Sequence, residues 1–303
     1  MRTSIHPASA HDLDTVARIL ADLHGASDSG AALLQHAVSP GTDLPTHPFR
    51  AGTAHGDWIT APSTPSTPVL LYLHARRFQF DEPPGVFAGR LSEATQLPVL
   101  LLRYRLAPEH PYPAALDDVL DAYQALLDRG TPPAGIVLVG HSAGATLTLS
   151  ALLALRQAGR PMPAGAVAIS PITDFTFSGE SLVSNAGSDV VTMRELTQTR
   201  EAYLGSTDPA TAPASPLADV PGGLPPLLIA CGGSEMFRDD ATRFAEAAAD
   251  GGADVELDIF QGMPHGFPLL AVEAAGTLLD RVAAFTTSQL SSMPGGSSRG
   301  GGR

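Results

Sequence analysis

Short apolar runs alternate with helical patterns over most of the chain, and this alternation limits the possible folds more than any other feature. The runs contain few polar residues, which is typical of strands buried on both faces of a sheet. The predicted strands are Val69–Leu73, Val99–Tyr104, Ile136–Val139, Ala166–Ile169, Leu227–Ala230 and Val255–Ile259. The predicted helices are Val86–Thr95, Ala114–Leu127, Ala143–Gln157, Asp239–Ala249 and Ala271–Phe285. This order predicts an α/β fold, with a mostly parallel central sheet and helices on both of its faces.

Two regions do not fit the alternation. Residues 11–38 carry two amphipathic helical patterns, and residues 174–218 form a long insertion with a helical stretch near Met193–Tyr203. Active sites of open α/β sheets lie at the carboxyl ends of the strands, and insertions near that edge commonly form lids. We therefore interpret both regions as parts of one helical cap. The predicted organisation is N-terminal cap helices in 1–48, a core in 49–173 and 219–289, a cap insertion in 174–218 and a disordered Gly/Ser-rich tail in 290–303.

The composition excludes several classes of protein. With 303 residues, of which 44% are hydrophobic and 16% charged, the chain can build a large core and is unlike a disordered protein. The net charge of −13 disfavours nucleic acid as a partner, because an acidic surface repels phosphate backbones. A single cysteine, Cys231, excludes an internal disulfide and a Cys-rich zinc site. Neither a signal peptide nor a membrane span is predicted, so we expect a cytoplasmic protein.

The segment Gly140–Gly144 reads Gly-His-Ser-Ala-Gly and matches the G-x-S-x-G pattern of serine hydrolases. It directly follows the predicted strand Ile136–Val139 and overlaps the start of the helix at Ala143. A nucleophilic serine requires this strand–turn–helix setting, because the sharp turn exposes its Oγ and the helix N-terminus favours developing negative charge. We therefore predict Ser142 as the nucleophile. The alternative is an ordinary turn between a strand and a helix.

Only one histidine, His265, follows the nucleophile in the sequence, and it lies in a turn-rich loop after the last predicted strand. The hydrolase order of nucleophile, acid and histidine makes it the candidate general base. The acid is expected just after Leu227–Ala230, where Glu235 is the first carboxylate. Asp239 and Asp240 are the alternatives, although acidic residues there also suit the first turn of the next helix.

Four segments together resemble the hormone-sensitive lipase-like family of α/β hydrolases. They are Tyr104–Ala115, Gly140–Gly144, Ser234–Asp239 and Gly262–Phe267. In the second of them, His141 replaces the aspartate that is usual in the family. The resemblance covers about residues 50 to 288. It implies an α/β-hydrolase fold with a helical cap, a small-molecule ester as substrate, and often a homodimer; the triad needs no metal and no organic cofactor.

One departure from the family concerns the oxyanion hole. The family reads His-Gly-Gly-Gly after its first buried strand, whereas this chain reads His74-Ala75-Arg76-Arg77. By position, the backbone N–H groups of Arg76 and Arg77 would stabilise the oxyanion, together with that of Ala143. Residues with a Cβ adopt positive φ only with strain, so the loop either keeps negative φ or is strained.

Three arrangements of this loop are open. In the first, the amides point into the site while the arginine side chains turn away, for example toward Asp81 or Glu82. In the second, an arginine side chain enters the pocket and binds a substrate carboxylate or the oxyanion. In the third, the hole is lost and the protein catalyses a different reaction. His74 and His141 are candidate substrate contacts near the loop and the nucleophile, and packing is the alternative for His141.

These assignments predict a carboxylesterase that acts on small or short-chain acyl esters through a Ser-His-Glu triad and an acyl-enzyme. The altered oxyanion loop motivates an alternative, in which the same triad performs acyl transfer, lactonisation or another non-hydrolytic reaction. A non-catalytic ligand receptor is the third hypothesis, and the presence of all three triad residues argues against it.

Overall fold

The fold is described by a computed structural model that covers residues 1–23, 32–33, 35–37, 45–60, 62–64, 67–75, 77–79 and 87–291. Within these residues, nine strands form one sheet. They are β1 (Arg2–His6), β2 (Thr46–Ala51), β3 (Ala54–Ile59), β4 (Val69–Leu73), β5 (Val99–Leu102), β6 (Ile136–His141), β7 (Gly165–Ile169), β8 (Leu227–Gly232) and β9 (Val255–Phe260). The strand order is β1-β9-β8-β7-β6-β4-β5-β3-β2. All neighbours are parallel except the antiparallel pairs β2–β3 and β3–β5, which confirms the predicted α/β architecture.

The helices of the described part pack on this sheet or belong to the insertion. They are α1 (Ala10–Leu23), α2 (Ala88–Thr95), α3 (Ala114–Asp128), α4 (Ala143–Gln157), α5 (Ser181–Ser184), α6 (Met193–Leu204), α7 (Arg238–Asp250) and α8 (Glu273–Leu290). Strands β4 to β7 are buried at every position, because their sequences are almost entirely apolar and both faces of the sheet are covered. Helix α4 is buried along nearly its whole length, which places it under the centre of the sheet. No described helix is long and apolar enough to cross a membrane.

The six predicted strands and the helices between them are confirmed, with small differences at their ends. The assignment of residues 1–48 to cap helices alone was wrong, because Arg2–His6 forms a strand that pairs in parallel with β9 at the edge of the sheet. This strand contains one apolar residue, Ile5, and is largely exposed, so it lacks the apolar run that marks a buried strand. The second helical pattern of residues 11–38 and the predicted tail lie largely outside the described residues.

The N-terminal segment packs on the loop between β9 and α8. The buried carboxylate of Asp12 accepts hydrogen bonds from the first two N–H groups of α8, Glu273 at 2.7 Å and Ala274 at 3.1 Å. Leu13 lies against Gly262, where an added Cβ would approach its Cδ2 to 2.6 Å. Helix α1 therefore caps the N-terminus of α8 and supports the loop that precedes it.

Candidate active site

Ser142 lies on a sharp turn between β6 and α4. Its φ is 54° and its ψ is −119°, a conformation that is strained for a residue with a Cβ. Its backbone N–H donates a hydrogen bond to the carbonyl oxygen of Ile169 at 2.8 Å. The flanking glycines permit the turn, since a Cβ on Gly140 would stand 2.2 Å from the carbonyl oxygen of Gly144. The structure therefore has a strained strand–turn–helix connection at the predicted nucleophile.

Ser142, His265 and Glu235 form a hydrogen-bonded chain. Ser142 Oγ lies 2.9 Å from His265 Nε2, and His265 Nδ1 lies 3.3 Å from Glu235 Oε2. The loop that carries His265 is turned by Gly262 and Gly266, whose φ angles are 71° and 78°. Because Nδ1 faces a carboxylate, Nδ1 carries the proton and Nε2 accepts from the serine hydroxyl.

Burial and charge act in opposite directions on the pKa of His265. Burial lowers this pKa, whereas the hydrogen bond and charge of Glu235 and the charge of Asp189 raise it, and the net shift is upward. The ring of Phe237 packs edge-on against the imidazole, with the ring centroids 5.1 Å apart. The surrounding carboxylates therefore favour the imidazolium that forms when the base takes a proton.

Glu235 is held in place by two further hydrogen bonds. Its Oε1 accepts from Ser170 Oγ and from the backbone N–H of Gly232, each at 2.6 Å, while its Oε2 faces His265. The carboxylate is fully buried. These bonds fix the orientation of the carboxylate that faces the His265 imidazole.

The alternative acids, Asp239 and Asp240, bind the start of the insertion instead of the base. Asp240 Oδ2 accepts hydrogen bonds from the N–H groups of Thr173 at 2.7 Å and Asp174 at 2.9 Å. Asp239 Oδ2 accepts one from the N–H of Ser181 at 2.8 Å. Burial raises the pKa of Asp240 to about 6, although its backbone hydrogen bonds oppose the shift. Of the three candidates, Glu235 is thus the one that the structure places beside His265.

A residue that the sequence analysis missed, Asp189, links the loop of the acid to the loop of the base. Its Oδ1 accepts hydrogen bonds from the backbone N–H groups of His265 and Val190, and its Oδ2 accepts one from that of Met236, each at 2.7 Å. Burial raises the pKa of Asp189 to about 6, against the opposing charge of His265. Asp189 belongs to the insertion and to no recognisable motif, so no sequence signal connected it with the triad.

Neighbouring side chains of the insertion bind the backbone of the acid loop as well. Asn185 Nδ2 donates to the carbonyl oxygen of Glu235 at 2.8 Å, and Ser181 Oγ donates to that of Met236 at 2.7 Å. Together with Asp189, these contacts tie the insertion to the loops that carry Glu235 and His265.

The oxyanion loop after β4 was predicted either to keep negative φ or to be strained, and its described residues are strained. The φ angles are 59° at Arg77 and 60° at Phe78, in the region that favours glycine. Arg77 Nη1 lies 3.4 Å from Glu195 Oε1, so this side chain turns toward α6 of the insertion. The remaining residues of the predicted arrangements, Arg76, Asp81 and Glu82, lie outside the described residues.

The third predicted oxyanion donor, Ala143, is the first residue of α4 and lies beside this loop. A Cβ on Gly144 would stand 1.9 Å from the carbonyl oxygen of Leu73 and 2.6 Å from that of His74. The first N–H groups of a helix have no partner within the helix. The N–H of Ala143 is therefore positioned at a helix N-terminus that contacts the base of the oxyanion loop.

His74 supports the oxyanion loop, and a contact between His74 and substrate stays a prediction. Its fully buried ring stacks on Tyr104, with the centroids 4.2 Å apart, and its Nδ1 lies 2.8 Å from the carbonyl oxygen of Ala75. The Tyr104 hydroxyl donates to the carbonyl oxygen of His74 at 2.9 Å. These contacts fix the His74 ring and backbone at the start of the oxyanion loop.

His141 is buried between the base and Phe87. Its ring centroid lies 6.1 Å from that of His265 and 5.8 Å from that of Phe87. Within the described part of the chain, neither of its ring nitrogens has a hydrogen-bond partner. Burial, together with the charge of His265, lowers the pKa of His141 to about 3, so its imidazole is neutral near pH 7. A contact between His141 and substrate stays a prediction.

Two other kinds of site are relevant to the described residues, a metal-binding group and a reactive cysteine. These contain no group of three or more His, Cys, Asp or Glu side chains placed to hold a metal ion. The free Cys231 is buried in β8, and burial raises the pKa of its thiol. A buried thiol with a raised pKa is a poor nucleophile.

Comparisons with known proteins identify the family of this chain. A family profile described as the α/β hydrolase fold matches residues 70–269. An acetyl-hydrolase of Streptomyces hygroscopicus is 38% identical over 75% of this chain and 80% of its own length. An esterase of Acinetobacter venetianus is 35% identical over 80% of this chain and 81% of its own. The crystal structure of an esterase from the bacterial hormone-sensitive lipase family superposes with a TM-score of 0.85 at 32% identity, covering 93% of this chain and 99% of that one.

Proposed function

Because the chain belongs to the α/β hydrolase fold family, we propose that it is a serine carboxylesterase whose nucleophile, base and acid are Ser142, His265 and Glu235. The observation that carries the proposal is the 2.9 Å contact between Ser142 Oγ and His265 Nε2 on a strained turn. Esterase relatives that cover most of the chain support the same reaction class.

The reaction would begin with attack of Ser142 Oγ on the acyl carbonyl, while His265 Nε2 accepts the hydroxyl proton. The new imidazolium would be stabilised by Glu235 through Nδ1, and by the charge of Asp189. His265 Nε2 would then protonate the leaving alcohol. Next, Nε2 would take a proton from a water molecule, which attacks the acyl-enzyme and releases the carboxylic acid product. The raised pKa of His265 predicts that activity falls on the acidic side of neutrality, because only the neutral imidazole can act as the base.

The oxyanion that forms on the substrate carbonyl would be stabilised by backbone N–H groups of Arg76, Arg77 and Ala143. The position of Ala143 at the N-terminus of α4 supports its part in this set, because the helix dipole also favours negative charge there. The Arg77 side chain is oriented toward Glu195. The oxyanion would therefore be stabilised by the backbone N–H of Arg77 and not by its guanidinium.

A short-chain acyl ester is the substrate class that we propose. The nucleophile and base are both buried, with 5% of Ser142 and 9% of His265 exposed, which favours a small acyl group over an extended chain. One relative is named an acetyl-hydrolase, and a similar structure, of an esterase soaked with p-nitrophenyl butyrate, has a TM-score of 0.84 at 30% identity.

The test is hydrolysis of p-nitrophenyl esters from acetate to octanoate by the wild type, by Ser142→Ala and by Ser184→Ala, which removes an exposed serine of the insertion. We expect wild-type and Ser184→Ala turnover to agree, to be highest for the shorter esters, and to vanish in Ser142→Ala. Equal turnover by Ser142→Ala would reject Ser142 as the nucleophile. Ester products formed with an added alcohol, in excess over hydrolysis, would favour acyl transfer by the same triad.

A further inference from the structure

We propose that helix α6 of the insertion positions the oxyanion loop, with Glu195 and Tyr203 holding Arg77 and Phe78 in a backbone conformation that glycine would adopt unaided. The inference rests on the esterase function proposed above and assigns Glu195 and Tyr203 as positioning residues. Neither residue belongs to the triad or to the predicted oxyanion donors.

The loop needs an external support because of its backbone. Arg77 and Phe78 are adjacent residues that both have φ near 60°. In this region the Cβ of an L-residue crowds the backbone, so each of them would relax to negative φ in a free loop. Relaxation would rotate the peptide planes on both sides of Arg77 and turn their N–H groups away from their present directions.

The first support is the ion pair between Arg77 and Glu195, in the first turn of α6. Arg77 Nη1 and Glu195 Oε1 are 3.4 Å apart, and only 3% of the Glu195 side chain is exposed. The other oxygen of Glu195 accepts hydrogen bonds from Thr192, from its N–H at 3.0 Å and from its Oγ1 at 2.8 Å. This capping box holds the Glu195 carboxylate in place independently of Arg77. Formation of the ion pair therefore costs little side-chain entropy at Glu195.

The second support is the stacking of Phe78 on Tyr203, near the other end of α6. Their ring centroids are 3.8 Å apart with an interplanar angle of 13°, and both rings are buried. The carbonyl oxygen of Phe78 also accepts a hydrogen bond from the N–H of Ala107 at 2.8 Å. Tyr203 is tied to the core in turn, since its carbonyl oxygen accepts the N–H of Tyr112 at 2.7 Å.

These two contacts join adjacent loop residues to opposite ends of one helix. Glu195 and Tyr203 are eight residues apart, which is about 12 Å along an α-helix. A helix anchored at both ends fixes the loop against rotation as well as translation. The insertion would therefore hold the backbone of the oxyanion hole in place.

The decisive test compares Arg77→Met with Arg77→Gly. Both changes remove the ion pair, but only glycine tolerates φ near 60° without support. We expect Arg77→Gly to have at least tenfold higher kcat for p-nitrophenyl acetate than Arg77→Met, with similar KM, and to bind a trifluoromethyl ketone more tightly. Ser142 Oγ adds to the ketone carbon of this inhibitor and passes its proton to His265. The ketone oxygen then becomes an oxyanion, so the affinity reports on the hole directly. An equal loss of kcat in both variants, or a higher kcat in Arg77→Met than in Arg77→Gly, would overturn the proposal.

A second comparison uses Glu195→Gln, which can keep the capping box, and Glu201→Gln, which removes an exposed carboxylate from the same helix. We expect Glu195→Gln to lower kcat about tenfold in the wild-type background, as part of the 100–1,000-fold value of one oxyanion donor, and to change it less than twofold in the Arg77→Gly background. Glu201→Gln should leave kcat unchanged in both. An equal effect of Glu195→Gln in both backgrounds would reject the coupling. Wild-type turnover that does not exceed the Ser142→Ala background would instead reject the esterase function itself.

Discussion

Replacement of Asp189 by asparagine should weaken both the stability of the protein and the action of its base. The carboxylate accepts three backbone N–H groups at 2.7 Å, two on Oδ1 and one on Oδ2. Asparagine keeps one acceptor oxygen and places an NH₂ group opposite an N–H donor. At least one charge-assisted hydrogen bond is then lost, which lowers the free energy of unfolding by about 2–3 kcal/mol. For a chain of 303 residues, that loss lowers Tm by about 3–5 °C.

The same substitution should move the pH profile. The charge of Asp189 contributes to the raised pKa of His265, together with Glu235, so its removal lowers the pKa of the base. The acidic limb of kcat/KM should therefore shift to lower pH. The maximal kcat should fall by about 10–100-fold, because the histidine loop is no longer tied to the acid loop.

The assay measures kcat/KM for p-nitrophenyl acetate from about pH 5 to about pH 9, a range that brackets the usual pKa of histidine. Tm is measured at each pH. Asp208→Asn, which alters an exposed aspartate of the same insertion, serves as the matched control. A shift of the acidic limb to higher pH would refute the reasoning about charge. If Asp189→Asn had the Tm and kcat of the wild type, the role of Asp189 as a link between the two loops would be refuted.

Two further predictions test the supports of the triad. Ser170→Ala removes the 2.6 Å hydrogen bond to Glu235 Oε1 and should lower kcat about tenfold with little change in KM, as measured by steady-state kinetics; an unchanged kcat would contradict this role. Asp12→Ala removes the N-terminal cap of α8 and should lower the free energy of unfolding by about 1–2 kcal/mol in a denaturant titration; a loss near zero would show that other groups satisfy those N–H donors.

The sequence predicted the centre of the sheet because the strands there are buried on both faces. Val69–Leu73 and Val99–Leu102 contain only apolar residues and tyrosine, so they left little choice of structure. Strands β1, β2 and β3 were missed for the opposite reason. They lie toward the edges of the sheet, and their sequences, such as Arg-Thr-Ser-Ile-His, contain too few apolar residues to mark a strand.

The candidate site divides in a similar way. Ser142, Glu235 and His265 occur in local motifs at the ends of recognisable strands, so the order of elements was enough to bring them together. The supports for these residues depend on distant pairings. Asp189 lies 76 positions from His265, and the partner of Arg77 is on the insertion helix. Local sequence patterns contain no information about which insertion residue faces which loop.

The pairing of β1 with β9 also has a consequence for synthesis of the chain on the ribosome. Arg2 and Glu256 are hydrogen-bonded across 254 positions, and Asp12 caps a helix that begins 261 positions later. Strand β1 and helix α1 must therefore wait for β9 and α8 before they can pack on them. The histidine loop lies between β9 and α8, so a nascent chain contains Ser142 long before His265. The proposed hydrolytic activity should therefore arise only after β9 and the histidine loop have been made.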